Sequence, residues 1–258
     1  MIKPLVMPEH KNLSIAWARA FLELMKPGSG VRHPSVITIH GFDTDIGVED
    51  YQIRTKLDQV LKQHGKKLCT TVAGTIFPSS MWNPMLPNNA EILFKRYNQA
   101  WSGIKMSPQN RKGVYFRRLT SFQSKCACGE PVNQLKVIID TYQGGNHRKS
   151  ALQASVFDPS RDHSNAPILG FPCLQQVAFT PLGENELSVT GFYAKQLHVE
   201  KAYGNYLGLY DLGRFMAKQM GLKLTQVVCI ASCLELSELK KHDLHGLETD
   251  LKNILQDK

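Results

Sequence analysis

The sequence predicts a single α/β (α+β) domain over residues 1–258, one large mixed sheet packed by helices. Three observations predict it. Runs with apolar residues at helical spacing alternate with β-rich runs, two β-rich runs join as a hairpin, and no repeat or low-complexity tract divides the chain. At 258 residues the chain is long enough for one substantial core. Its 42% hydrophobic and 21% charged residues suit an ordinary soluble globular protein rather than a disordered or fibrous one.

The elements follow in order. "HKNLSIAWARAFLELMK" has helical spacing and stops at "PGSG"; "SVITIHGF" is β-rich; "VEDYQIRTKLDQVLKQHG" is a second helix with a glycine stop. "LCTTVAGTIF" reads as a short strand, "PSSMWNPMLPNN" as a loop and "AEILFKRYNQAW" as a helix. "GVYFRRLTSF" is expected to be a strand and "NQLKVIIDTYQGG" a helix, followed by a strand, a polar loop and a strand edge over "SALQASVFDPSRDHSNAPILGFPC". "LQQVAFTPLGENELSVTGFYAKQLH" is the hairpin. The next helix places Tyr206, Leu209, Tyr210, Gly213, Ala217 and Met220 on one face and stops at Gly221. "LTQVVCIASCLEL" returns as a strand and the charged tail is helical.

Thirty-one Lys and Arg against 22 Asp and Glu give a charge of +9, which favours phosphate-bearing ligands but is equally the mark of a solvated basic surface. No zinc-finger, basic-zipper or RNA-recognition spacing names a nucleic-acid module. Six cysteines in a chain of this length do not make a disulfide framework, and "MIKPLVMPEHKNLSIAW" is no cleavable signal, so a reducing cytoplasm is the expected setting. No apolar run is long enough to span a membrane. Cys126 and Cys128 in "SKCACGEP" lack the second ligand pair a zinc site needs, so no metal is expected. Cys229 and Cys233 read as buried thiols in a strand. Asp162 and His163 form either an acid–base pair over a pocket or two solvated loop side chains.

In "NAPILGFPCLQQVAF", Cys173 follows Pro172 at the entrance to a strand. The order of pieces from Gly113 to Leu236, with "FPC" and then "ELSVTGFYAKQLHVEKAYGNYLGLYDLGRFMAKQMGL", resembles the thymidylate synthase and deoxycytidylate hydroxymethylase superfamily. The resemblance is clearest over residues 113–236, about half the chain; residues 1–112 are a divergent N-terminal part. It implies a thymidylate synthase-like domain, a homodimer, a pyrimidine nucleotide as ligand, and transfer of a one-carbon unit, methyl or hydroxymethyl, to carbon 5.

Carbon 5 of a pyrimidine becomes reactive once a nucleophile adds to carbon 6, and a thiolate both attacks and leaves well. The resemblance gives Cys173 that role; the other reading is a structural cysteine. Asn205 is either a helix cap or an amide that meets the base edge as donor and acceptor, which favours uracil over cytosine. Tyr115 is placed near carbon 5, or in the core. Arg148 and Lys149 lie close to where the family reaches phosphate across its dimer interface.

Departures cluster around the donor and phosphate sites. Leu174 replaces the His after the nucleophile, and Tyr193, Ala194 and Lys195 stand where the family has Gln-Arg-Ser, leaving the charge of Lys195 without a guanidinium fork. Leu197 replaces the aspartate that contacts folate, so a reduced folate donor is doubtful. Glu235 and Ser237 replace the sugar-binding His and Tyr, with Glu235 able to accept from ribose hydroxyls. No equivalent of the family's closing tail is evident. The competing expectations are a degenerate nucleotide sensor or sequestering protein and, third, a basic nucleic-acid-binding module.

Overall fold

The computed structural model describes residues 3–42, 47–110, 113–123, 129–165 and 171–256. Cys126 and Cys128 lie outside the described residues. The chain opens with β1 (Leu5–Val6), α1 (Leu13–Met25), β2 (Val31–Arg32), β3 (Ser35–His40) and α2 (Tyr51–Gln63). Next come α3 (Cys69–Ile76), α4 (Asn89–Met106), α5 (Tyr115–Thr120), α6 (Gln134–Gln143), β4 (Gln153–Ser155) and the one-turn α7 (Pro159–Asp162). The C-terminal part holds β5 (Leu174–Leu182), β6 (Glu186–Leu197), α8 (Tyr203–Met220), β7 (Lys223–Glu235) and α9 (His245–Gln256).

The strands form one mixed sheet in the order β1-β3-β7-β6-β5-β4, with the short β2 also pairing with β7. β5 and β6 are the antiparallel hairpin the sequence predicts, Phe179 lying opposite Val189. β6 and β7 run parallel, so the chain must cross over between them, and α8 is that crossover. Alternation sets the layers: Ile37, Ile39, Val177, Phe179, Val189, Val227 and Cys229 are buried beneath helices, whereas Val36, Thr190, Phe192, Val228 and Ile230 point the other way and stay at least partly exposed. The mixed α/β class predicted from sequence is therefore observed. None of the described helices is long and apolar enough to cross a membrane.

Two predicted strands are helices. Leu68–Phe77 contains α3 and Gly113–Phe122 contains α5. Thr, Val, Ile, Tyr and Phe raise the β propensity of both segments, yet Cys69, Val72, Ala73 and Ile76 recur at helical spacing, as do Phe116, Leu119 and Thr120. Burial of those faces outweighs local preference.

α8 is enclosed on several sides rather than along one face. The sheet lies under it, and α3 crosses it at contact distance because Gly204 and Gly208 present no side chains. A Cβ on Gly204 would sit 2.5 Å from Val72 Cβ and 2.6 Å from Cys69 O, and one on Gly208 2.9 Å from Ala73 O. The start of α8 thereby meets the start of α3.

Before α8 the backbone widens into a π-helical turn over His198–Ala202. It is pinned to α1 by a reciprocal pair: Trp17 Nε1 donates to His198 O at 3.0 Å, and His198 Nε2 donates to Trp17 O at 3.0 Å, with the rings stacked 5.2 Å apart. Complete burial pushes the His198 pKa down to about 4 and keeps the ring neutral. Since Nε2 carries the proton, the buried Nδ1 is left without a partner among the described residues.

Candidate active site

A cavity of about 410 Å³ opens where the ends of β6 and β7 meet the starts of α3, α5 and α8. Cys173, Tyr115, Asn205, Lys195 and Glu235 all line it. These residues come from five different places in the chain, and the fold brings them to one wall system. Arg148 and Lys149 do not line it; they are exposed at a 3₁₀ turn, Lys149–Ala151, near β4.

Cys173 sits just before β5, held by its own backbone. Its carbonyl accepts from the N–H of Ala194 at 3.0 Å and from Gln175 Nε2 at 3.2 Å, while the same Gln175 amide donates to Pro172 O at 2.8 Å. The thiol is free and half-buried. Burial pushes its pKa up; the positive charges of Lys201 and then Lys195, and the hydroxyl of Tyr115, push it back down. Tyr115 is itself raised by burial first and by Cys173 second, so its proton stays on oxygen at neutral pH and can be donated.

The roof over the thiol is aromatic. Tyr115 stacks on Phe171 with ring centroids 5.2 Å apart. Gly113 makes room for that stack: its φ is +135°, and a Cβ there would lie 2.6 Å from Phe171 Cε1.

Asn205 is the third residue of α8 and caps nothing, because the π-helical turn runs directly into the helix. It is buried on the cavity wall, and its amide has no hydrogen-bond partner among the described residues. An amide so placed offers one acceptor and two donors to a ligand edge. Gln196, its neighbour on the wall, is turned to Cys229, Nε2 lying 3.5 Å from Sγ.

The charged residues divide into pairs and leftovers. Lys195 Nζ is 2.9 Å from Glu235 Oε2, and Lys66 Nζ donates to Glu238 Oε2 at 2.7 Å. Glu200, buried, accepts from Ser237 Oγ at 2.6 Å and from the N–H of Glu238 at 3.0 Å. Lys67 and Lys201 also line the cavity, and neither is ion-paired or hydrogen-bonded among the described residues. Sequence reading missed both, as well as Phe171. The only signal for Lys201 was its place four residues before Asn205.

Two further sequence readings need correction. Asp162 is no partner for His163: it is buried against Arg118, whose Nη2 donates to Asp162 Oδ1 at 2.7 Å, and it accepts from the N–H of Asp158 at 2.7 Å. His163 is exposed with its ring against Phe157. Cys233 is half-exposed rather than buried, its thiol lying 3.8 Å from both His33 Nε2 and Glu235 Oε1, whereas Cys229 is buried. Among the described residues no group of three or more His, Cys, Asp or Glu is arranged to hold a metal ion. No known protein family's profile matches the chain, and no curated protein matches it.

Proposed function

We propose that the cavity binds a pyrimidine nucleotide and that the chain is a divergent thymidylate synthase-like enzyme acting at carbon 5 through a Cys173 adduct. One observation carries this reading: the Cys173 thiol and the unpartnered Asn205 amide face the same cavity, of a size for one nucleotide, beneath an aromatic roof.

The chemistry follows from those groups. The Cys173 thiolate adds to carbon 6, and the electrons of the 5,6 double bond move onto the carbon 4 oxygen, giving an enolate nucleophilic at carbon 5. Asn205 holds the ring edge by donating and accepting. Tyr115 supplies a hydroxyl beside the thiol for proton transfer. When carbon 5 takes a proton in place of its own and the carbon–sulfur bond then breaks, the thiolate is returned and the hydrogen has exchanged. With Leu197 on the wall where the resemblance expects aspartate, the residues do not fit a folate ring, and exchange is the step they support.

The test is release of tritium from uridine monophosphate labelled at carbon 5. Exchange that disappears in Cys173→Ser supports the adduct; full exchange in that variant overturns it. A second reading, a nucleotide sensor without turnover, is favoured by burial raising the Cys173 thiol. Thermal stabilisation by the nucleotide with no exchange in the native protein selects it.

Arg148 and Lys149 reach this cavity, on the same proposal, only from a second copy. Light scattering showing a dimer supports that arrangement, and a monomer removes both residues from the site.

A further inference from the structure

Two ammonium groups on the cavity wall make no ion pair or hydrogen bond among the described residues, although the charge of Lys201 is felt by Glu238. Of the lysines on its wall, Lys195 is neutralised by Glu235, and the nearby Glu238 is already taken by Lys66. Glu200 accepts through Oε1 from Ser237 and from the Glu238 backbone; its buried Oε2 has no partner among the described residues, and it forms no ion pair with either lysine. Lys67, from the turn between α2 and α3, and Lys201, from the π-helical turn, have neither ion pair nor hydrogen bond among the described residues. They are close enough to repel: burial first and the charge of Lys201 second push the Lys67 pKa down. A fold that holds two like charges together at a half-buried wall sacrifices stability unless an anion joins them.

The placement is specific. Lys201 stands on the π-helical turn between Lys195 and Asn205, and Lys67 is brought opposite by the close crossing of α3 over Gly204 and Gly208. Lys201 is also the leading positive charge acting on the Cys173 thiol.

We propose that Lys67 and Lys201 form an oxyanion-binding wall of this cavity, taking either the phosphate ester of a nucleotide or the carboxylate of a second substrate. This deepens the nucleotide reading but does not require the base, so the two can fail separately. A phosphate bridging the lysines makes charge-assisted hydrogen bonds to each, and its negative charge lies near enough to Lys201 to dull the thiol.

The experiment follows iodoacetamide labelling of Cys173, resolved from Cys233 by peptide mass spectrometry, at low salt with inorganic phosphate or glutarate as probe. The readout is the ratio of labelling rates with and without the anion, which cancels any change a substitution makes to the thiol itself. Phosphate, glutarate or both are expected to protect Cys173, and whichever is stronger identifies the source of the oxyanion. Lys67→Met and Lys201→Met are each expected to weaken protection about tenfold, with Lys201→Arg keeping it. Protection by neither anion at about 10 mM overturns the proposal, as does undiminished protection in both methionine variants. If uridine and uridine monophosphate fail to bind while phosphate still protects through the lysines, the oxyanion wall stands and the pyrimidine reading falls.

Discussion

The cavity has two kinds of wall. Its C-terminal side, from β6 through α8 to β7, is built of long elements whose apolar pattern announces them. Its N-terminal side, from α3, α5 and Gly113, is built of short pieces whose residue types point to strands. The first supplies Asn205, Lys195 and Glu235; the second supplies Lys67 and Tyr115. A long element states its period several times over, whereas an eight-residue helix states it barely twice, so there residue preference dominates the reading and packing dominates the structure.

If the two sides are one cooperative unit, removing the aromatic joint between them must destabilise both together. Phe77 lies within 5.7 Å, centroid to centroid, of Trp82, Phe116 and Phe215. Phe77→Ala is expected to lower stability by about 3–5 kcal/mol with a single urea transition. Two transitions would show the N-terminal wall to be a separable layer.

The next largest effect tests the tie between α1 and the π-helical turn. His198 has an ordinary pKa of 6.5 and about 4 in the fold, so the unfolded chain binds its proton first as pH falls. The contribution of the neutral ring is complete above about pH 6.5 and is lost as pH falls toward 4, by about 3 kcal/mol in all. His198→Gln is expected to flatten the pH dependence of the urea midpoint by that amount across this window. An unchanged slope would place the titration elsewhere.

These contrasts show what was legible. The sheet class, the hairpin and α8 were readable because strand and helix periods recur along long elements. Cys173, Tyr115, Asn205, Lys195 and Glu235 were reached through the family resemblance, Tyr115 from a segment whose helix was read as a strand. Lys67 and Lys201 were not legible, because nothing local distinguishes an unpaired lysine from a solvated one; the difference lies in which carboxylates the fold brings within bonding distance. Asp162 was misread for the converse reason: its partner, Arg118, comes from α5, a helix that had been read as a strand.

The crossing of α3 over α8 gives a smaller test. Gly204→Ala drives a methyl against Val72 Cβ and the Cys69 carbonyl, so backbone must move, and a loss of about 2 kcal/mol is expected. Since Asn205 and Lys67 flank that contact, nucleotide and phosphate affinity are expected to fall with it. Normal affinity at reduced stability would mean the two walls position their groups independently.

The smallest effect reaches furthest into the chemistry, because Tyr115 is the N-terminal group nearest the C-terminal thiol. Its hydroxyl is one of three influences lowering the Cys173 pKa against burial, after Lys201 and Lys195. Tyr115→Phe keeps the ring stacked on Phe171 and removes only the oxygen, so the thiol pKa is expected to rise further. The midpoint of the pH profile for Cys173 alkylation reads this directly. Thiolate falls at any fixed pH below the midpoint, so carbon 5 exchange should slow by about the same factor if the hydroxyl serves only the thiol. A much larger loss of exchange than of thiolate would assign Tyr115 the proton transfer itself, and an unchanged midpoint would make the N-terminal wall a cover and nothing more.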